Sequence, residues 1–181
     1  ITLLSKAKNS SPDQLTVCVL KRPRHESIVK SLNSLNVNIN FISDGDVSGV
    51  ISVGYKNSDI DMYIGIGGAP EGILAAAALD CMGCQMQTRL FFQDSEEKNK
   101  ATKLGIRNLN KKYNIDEMIK GDVLFCATGV TDGDFLRGIK NYKDSFEAET
   151  LVLHKNTKTD KIIKNLIKKW VFLLSVEKNG Y

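Results

Sequence analysis

Short runs of Val, Ile and Leu alternate along this chain with segments whose apolar residues recur at helical spacing. That alternation constrains the fold most, because each apolar run needs a sheet and each helical stripe needs a sheet face to cover. Residues 15–20 read as a short buried strand, and Ile28, Val29, Leu32 and Leu35 stand at helical intervals within 23–35. Residues 37–42 set apolar side chains against Asn, the pattern of a half-buried strand. A short helix is expected over 47–53 and a strand over 60–66. The clearest helix covers 70–82: Pro70 suits the first turn, four successive alanines propagate it, and Gly83 stops it. Beyond it come a strand over 85–92, a charged surface helix over 95–104, a short helix near 115–119, and strands over 123–128 and 149–154. An amphipathic helix is expected from near Asp160, with Ile162, Ile163, Leu166, Ile167 and Trp170 on its apolar face. The fold class is therefore α/β, a layered structure around a largely internal sheet.

Composition narrows the function. Hydrophobic residues make up 42% and charged residues 25%, ordinary globular values that argue against disorder. No apolar run approaches the ~20 residues of a membrane helix, and the first residues lack the pattern of a secretory signal. A soluble cytoplasmic protein that engages no membrane is the expectation. Leu3, Leu4 and Ala7 already have helical spacing, and Ile1 is not an initiator methionine, so the chain is expected to begin inside a larger protein. The net charge is +4, but the lysines are dispersed and not gathered on one element, which speaks against nucleic acid. The same mild charge suits recruitment of a small anion. Cys18, Cys81, Cys84 and Cys126 read as reduced thiols. Cys81-Met82-Gly83-Cys84 has half the spacing of a zinc site with no second pair to complete it. It can also be a redox pair, or simply the place where Cys81 closes a helix, Gly83 caps it and Cys84 opens a strand.

Three polar or glycine-rich clusters follow strands, where open α/β sheets bind ligands. In Lys21-Arg22-Pro23-Arg24-His25, two guanidinium groups flank a proline at a helix start, a combination suited to phosphate oxygens. The alternative is a solvated helix start, in which arginine opposes the helix dipole. Asp44-Gly45-Asp46 can accept sugar hydroxyls or hold a metal, and it can equally be a turn and helix cap. Gly65-Ile66-Gly67-Gly68-Ala69-Pro70-Glu71-Gly72 lets backbone approach a ligand closely, although Pro70 replaces the last glycine of a dinucleotide fingerprint. Glu71 is either a favourable dipole partner or a cation ligand beside a bound phosphate.

Together, IGIGGAPEGILAAAALDCMGCQMQTRL at 64–90 and ATGVTDGDFLRGI at 127–139, with LTVCVLKRPRH before and FEAETLVLH after, resemble class II fructose-1,6-bisphosphatases of the GlpX type, in their C-terminal part. The resemblance implies a layered helix–sheet sugar-phosphatase fold of the inositol-monophosphatase-like superfamily. It implies Mg²⁺- or Mn²⁺-dependent removal of the 1-phosphate of fructose 1,6-bisphosphate in gluconeogenesis; some members also take sedoheptulose 1,7-bisphosphate. Arg22, Pro23 and Arg24 match the family's substrate-binding Lys/Arg-Pro-Arg segment. Asp44, Gly45 and Asp46 match its Asp-Gly-Asp substrate loop, Gly68 a substrate-contacting glycine, and Glu71 a metal-ligand carboxylate. Asp132 and Asp134 belong to the signature, but the resemblance assigns them no role; a structural turn is the expectation. The family's Asp-Pro-Ile-Asp-Gly-Thr motif does not occur here, and Cys84 stands where a small or acidic residue is usual.

Residues 1–181 are accordingly expected to be the C-terminal portion of a sugar-bisphosphatase domain whose catalytic and remaining metal-binding residues lie in the N-terminal half. The parent enzyme is expected to be a homo-oligomer, and the chain alone catalytically inactive. A noncatalytic sugar-phosphate-binding or assembly module is the alternative. A nucleotide-binding reading of the glycine loop lacks a ribose-binding acid about 20 residues on, where Phe91, Phe92 and Gln93 stand instead.

Overall fold

A computed structural model of the chain describes residues 1–55, 57–133 and 135–169, with the side chain of Asp46 outside the description. Asp134 and the segment from Trp170 onward, to which the sequence reading also refers, lie outside the described residues. Two compact units divide the chain, Ile1–Lys120 and Gly121–Tyr181. The result is a mixed α/β protein, but among the described residues the strands fall into three separate sheets and do not form a single internal one.

In the first unit, β1 (Thr16–Leu20) is the central strand of a parallel sheet, with β2 (Asn38–Ile42) on one side and β3 (Met62–Tyr63) on the other. Val17, Cys18 and Val19 are fully buried because both faces of β1 are covered. Leu15, Val17 and Val19 point to the face that carries α1 (Thr2–Lys8) and α2 (Glu26–Asn33), where Leu4, Ile28, Val29 and Leu32 pack. On the opposite face Tyr63 packs with Val50 of α3 (Asp46–Val53) and with Ala75 and Leu79 of α4 (Ala69–Met82). Gly49 permits the close approach of α3, since a Cβ there would stand 2.5 Å from Ile42 Cδ1. The chain thus leaves β1 toward one face and β3 toward the other, so the carboxyl end of the sheet is a topological switch point.

The strand expected over 60–66 pairs for only Met62 and Tyr63, with Asp61 and Ile64 donating to Thr16 and Cys18 carbonyls at its ends. The glycines that follow leave the ladder to form a loop. Helix α4 stops as expected, with Gly83 in the left-handed region at φ 70°. Cys84 does not open a strand: its N–H donates to the Leu79 carbonyl and completes the helix cap. A small antiparallel pair follows, β4 (Gln87–Arg89) with β5 (Lys112–Asn114), joined through α5 (Ser95–Lys103), and α6 (Ile115–Met118) closes the unit. The described residues contain no helix long and apolar enough to cross a membrane.

The second unit is antiparallel. The long strand β8 (Ser145–His154) pairs along one edge with β9 (Thr159–Lys168), while β6 (Leu124–Thr128) and β7 (Lys140–Asn141) share the other. Leu151 and Leu153 of β8 are buried. The amphipathic helix expected from Asp160 is thus a strand. Apolar pairs at 162–163 and 166–167 satisfy a helical stripe, but a ten-residue register with β8 supplies the backbone partners instead. A turn with Lys158 at φ 54° reverses the chain into it.

Between β6 and β7, described residues of the signature stretch bond to β8. The Gly129 amide donates to the Glu149 carbonyl, and the Arg137 amide to the Glu149 carboxylate at 3.0 Å. Asp132 accepts from the Gly138 amide at 2.9 Å, in keeping with a structural turn. A Cβ on Gly129 would lie 2.2 Å from the Arg137 carbonyl oxygen, so backbone crosses backbone here.

At the amino end of the parallel sheet, Asp61 accepts from the Thr16 amide at 2.7 Å and pairs with Lys8. Burial pushes this carboxyl up, but the Lys8 hydrogen bond and charge and the Thr16 amide together outweigh it and hold it below the ordinary range. The folded protein therefore binds this proton less readily than the unfolded chain, so the contribution is complete at neutral pH and fades as pH falls through the carboxylate range. Asp61→Asn is expected to lower the urea midpoint at pH 7 and to flatten its decline below about pH 4. Parallel acid limbs for the two proteins would contradict this.

Candidate functional site

Loops after β1, β2 and β3 come together because the three strands run parallel and end at the same edge. After β1, Pro23 opens a 3₁₀ turn, Pro23–His25, that leads directly into α2. After β2, the cap position of α3 falls on Gly45, at φ 76°, and not on an aspartate. Asp44 is thereby left outside the helix with its side chain 97% exposed, facing Arg22 at 3.9 Å. Asp46 begins α3.

Arg22 braces two of the loops, its Nη1 donating to the Lys21 carbonyl at 2.9 Å and to the Ser43 carbonyl at 2.8 Å. Arg24 reaches the third loop, where its Nε donates to the Ile66 carbonyl at 2.6 Å. With Nε so engaged, the planar guanidinium still presents its terminal amino groups, the fork that grips phosphate or carboxylate. His25 is buried. Its Nδ1 lies 2.6 Å from the Leu20 carbonyl oxygen, and its Nε2 accepts from the Ile66 amide at 2.8 Å.

Among the described residues no acceptor meets the Gly67 and Gly68 amides, which precede the first turn of α4. Unengaged amides at the start of a long helix favour an anion. Glu71 stands in that first turn and leans back toward the loop: a Cβ on Gly68 would meet its Oε2 at 2.3 Å. It makes no capping hydrogen bond, so its carboxylate lone pairs remain open. That chemistry fits one ligand of a hard cation. It does not make a metal centre: such an ion takes about six oxygens, and the described residues hold no group of three or more His, Cys, Asp or Glu placed to share one.

The sequence-derived residues Arg22, Pro23, Arg24, Asp44, Gly45, Gly68 and Glu71 thus share one edge of one sheet. A cavity of about 880 Å³ adjoins the arginine loop between Phe41 and α2, but the glycine loop does not line it. The loops meet on an open rim. Sequence reasoning missed the part played by His25, whose only signal was its place beside two arginines at a helix start. It also missed the Ile66 backbone, for which the side-chain pattern holds no signal.

A family model described as bacterial fructose-1,6-bisphosphatase, glpX-encoded, matches residues 1–167. The D-fructose 1,6-bisphosphatase class 2/sedoheptulose 1,7-bisphosphatase of a Synechocystis strain is 32% identical over 176 residues, covering 90% of this chain and 51% of the relative. The protein of the same description from Synechococcus sp. strain JA-3-3Ab is 30% identical over 179 residues, covering 92% and 52%. That from Gloeobacter violaceus is 31% identical over 178 residues, covering 90% and 51%. The chain spans about half the length of the curated relatives it matches.

Gly68 has φ −68° and ψ 153°, open to any residue, and its nearest obstacle is the flexible end of Glu71. Gly68→Ala is expected to cost about 1 kcal/mol or less while displacing the Glu71 carboxylate, visible as a change in its carboxyl ¹³C shift. An unchanged Glu71 signal would refute the close approach.

Proposed function

This chain belongs to the glpX-encoded bacterial fructose-1,6-bisphosphatase family, and on that footing we propose that its three clustered loops bind the sugar bisphosphate of a phosphoric monoester hydrolase. The substrate is fructose 1,6-bisphosphate, with sedoheptulose 1,7-bisphosphate as a second one, and the fold is that of the inositol-monophosphatase-like superfamily. The proposal includes a place in cytoplasmic gluconeogenesis and a homo-oligomeric enzyme. The observation that carries it is the convergence of Arg22, Arg24, Asp44 and the glycine loop at the carboxyl end of one parallel sheet.

In this reading Arg24 grips the phosphate that does not react, so that binding energy orients the one that does. Arg22 and Pro23 hold the arginine loop in place, and the Gly68 region brings backbone amides to the anion. Asp44, with Gly45 and Asp46, accepts sugar hydroxyls, and a site built to hydrogen-bond a hydroxyl discriminates strongly against analogues that lack it. Glu71 is assigned as one ligand of Mg²⁺ or Mn²⁺. A second reading is binding without catalysis by this chain, which spans about half the length of the curated relatives it matches.

Calorimetric titration is expected to show fructose 1,6-bisphosphate binding more tightly than inorganic phosphate. Arg24→Ala is expected to weaken the bisphosphate roughly ten- to a hundred-fold, the value of a charge-assisted pair. Equal affinity in the variant would remove Arg24 from the site. With millimolar Mn²⁺ or Mg²⁺ the 181-residue chain is expected to release no phosphate. Turnover by the chain would reject the noncatalytic reading and the assignment of Glu71 to an incomplete metal set.

A further inference from the structure

His25 and Ser5 are the buried polar side chains of the described residues, and only His25, 1% exposed, lies at the carboxyl end of the sheet. Burying an imidazole is costly unless both nitrogens are satisfied. Here the partners dictate the roles. The Leu20 carbonyl can only accept, so Nδ1 carries the proton. Nε2 lies 2.8 Å from the Ile66 amide, which can only donate, and 3.1 Å from the Ile66 carbonyl oxygen, which already accepts from Arg24 Nε at 2.6 Å; the shorter contact, to the amide, takes the Nε2 lone pair. The ring therefore connects the last residue of β1 to a loop that arrives after β3. Arg24 donates to the carbonyl of the same Ile66, so both backbone polar groups of that residue are held by neighbouring side chains of one turn.

The glycine loop lies against the ring: a Cβ on Gly65 would stand 3.4 Å from His25 Cε1 and 3.2 Å from Tyr63 Oη. Gly65, Gly67 and Gly68 surround Ile66, and glycines lose more conformational freedom on ordering than other residues. A loop of this composition does not hold its amides in place by itself. Clamping the one side-chain-bearing residue among the glycines orders the loop with few contacts.

We propose that His25 is the positioning residue of this site, a neutral Nδ1-protonated imidazole that fixes the glycine loop relative to Arg24. The proposal deepens, and rests on, the reading of these loops as a sugar-bisphosphate site. His25 touches no substrate; it acts through Ile66. Its role differs from that of a core residue because only one of its two bonds serves the loop.

Two variants of the full chain separate the roles. His25→Asn places an amide nitrogen near the position of Nδ1, keeping the Leu20 bond, but ends short of Ile66. His25→Gln extends far enough for its amide oxygen to accept from Ile66. Thermal unfolding and circular dichroism report whether each is folded at the measuring temperature. Amide hydrogen exchange at Ile66 is expected to quicken about tenfold or more in the Asn variant and to stay near wild type in the Gln variant. Fructose 1,6-bisphosphate affinity is expected to follow the same split, and long-range ¹H–¹⁵N spectra of the wild type should show a neutral ring protonated at Nδ1. Equal losses in both variants, unchanged exchange in the Asn variant, or a proton on Nε2 would overturn the proposal. If the wild-type chain fails to bind the bisphosphate, the sugar-bisphosphate reading falls, and the exchange and ring spectra still decide whether His25 holds the loop. If the wild type binds and the Asn variant binds equally well, the function stands and the positioning role is rejected.

Discussion

The backbone of Ile66 is held from both sides, its amide by His25 Nε2 and its carbonyl by Arg24 Nε. The place of the glycine loop at this edge of the sheet depends on that grip. The sheet itself sets only where the three strands end, because parallel strands with crossovers on both faces release their loops at one edge. Bringing a loop rich in glycine to a defined place there needs specific polar contacts. The arginine loop supplies them from adjacent positions, and the 3₁₀ turn opened by Pro23 presents both side chains to the same neighbour. Arg22 does comparable work toward the β2 loop through the Ser43 carbonyl. One short segment therefore joins all three loops.

Much of this was legible in the sequence because it follows from local chemistry. Pro70 and Gly83 bound α4 as their conformational preferences require, and the clusters after β1, β2 and β3 were found as clusters. What failed was decided by distant partners. The segment after Asp160 carries apolar pairs that suit either a helix or a strand, and the choice fell to the ten-residue edge of β8. Similarly, β3 shrank to two residues because the glycines after Ile64 leave the ladder. His25 was visible as a residue but not as a clamp, since both its partners are backbone groups remote in sequence. The Asp44-Gly45-Asp46 sequence suits a ligand loop and a helix cap alike, and the placement of Gly45 at the cap frees Asp44 to face Arg22.

The second unit carries the other signature stretch, whose described residues are tied by hydrogen bonds to β8 and to one another. Asp132 closes a loop on the Gly138 amide, and Glu149 holds that loop through the Arg137 amide. The Arg137 amide, followed by the Lys164 ammonium, keeps the Glu149 carboxyl below its usual range. The loops proposed for substrate recognition all lie in the first unit, where Glu71 stands in the first turn of α4.

The central claim is that one anion-binding rim forms where these three loops meet. The most direct measurement is a ¹H–¹⁵N correlation spectrum of the chain titrated with fructose 1,6-bisphosphate, followed at backbone amides and arginine Nε signals. Saturable shifts are expected to concentrate on Arg22, Arg24, Asp44, Gly67 and Gly68. Shifts centred instead on the polar groove beside α1, at the other end of β1, or spread without saturation over surface lysines, would contradict it.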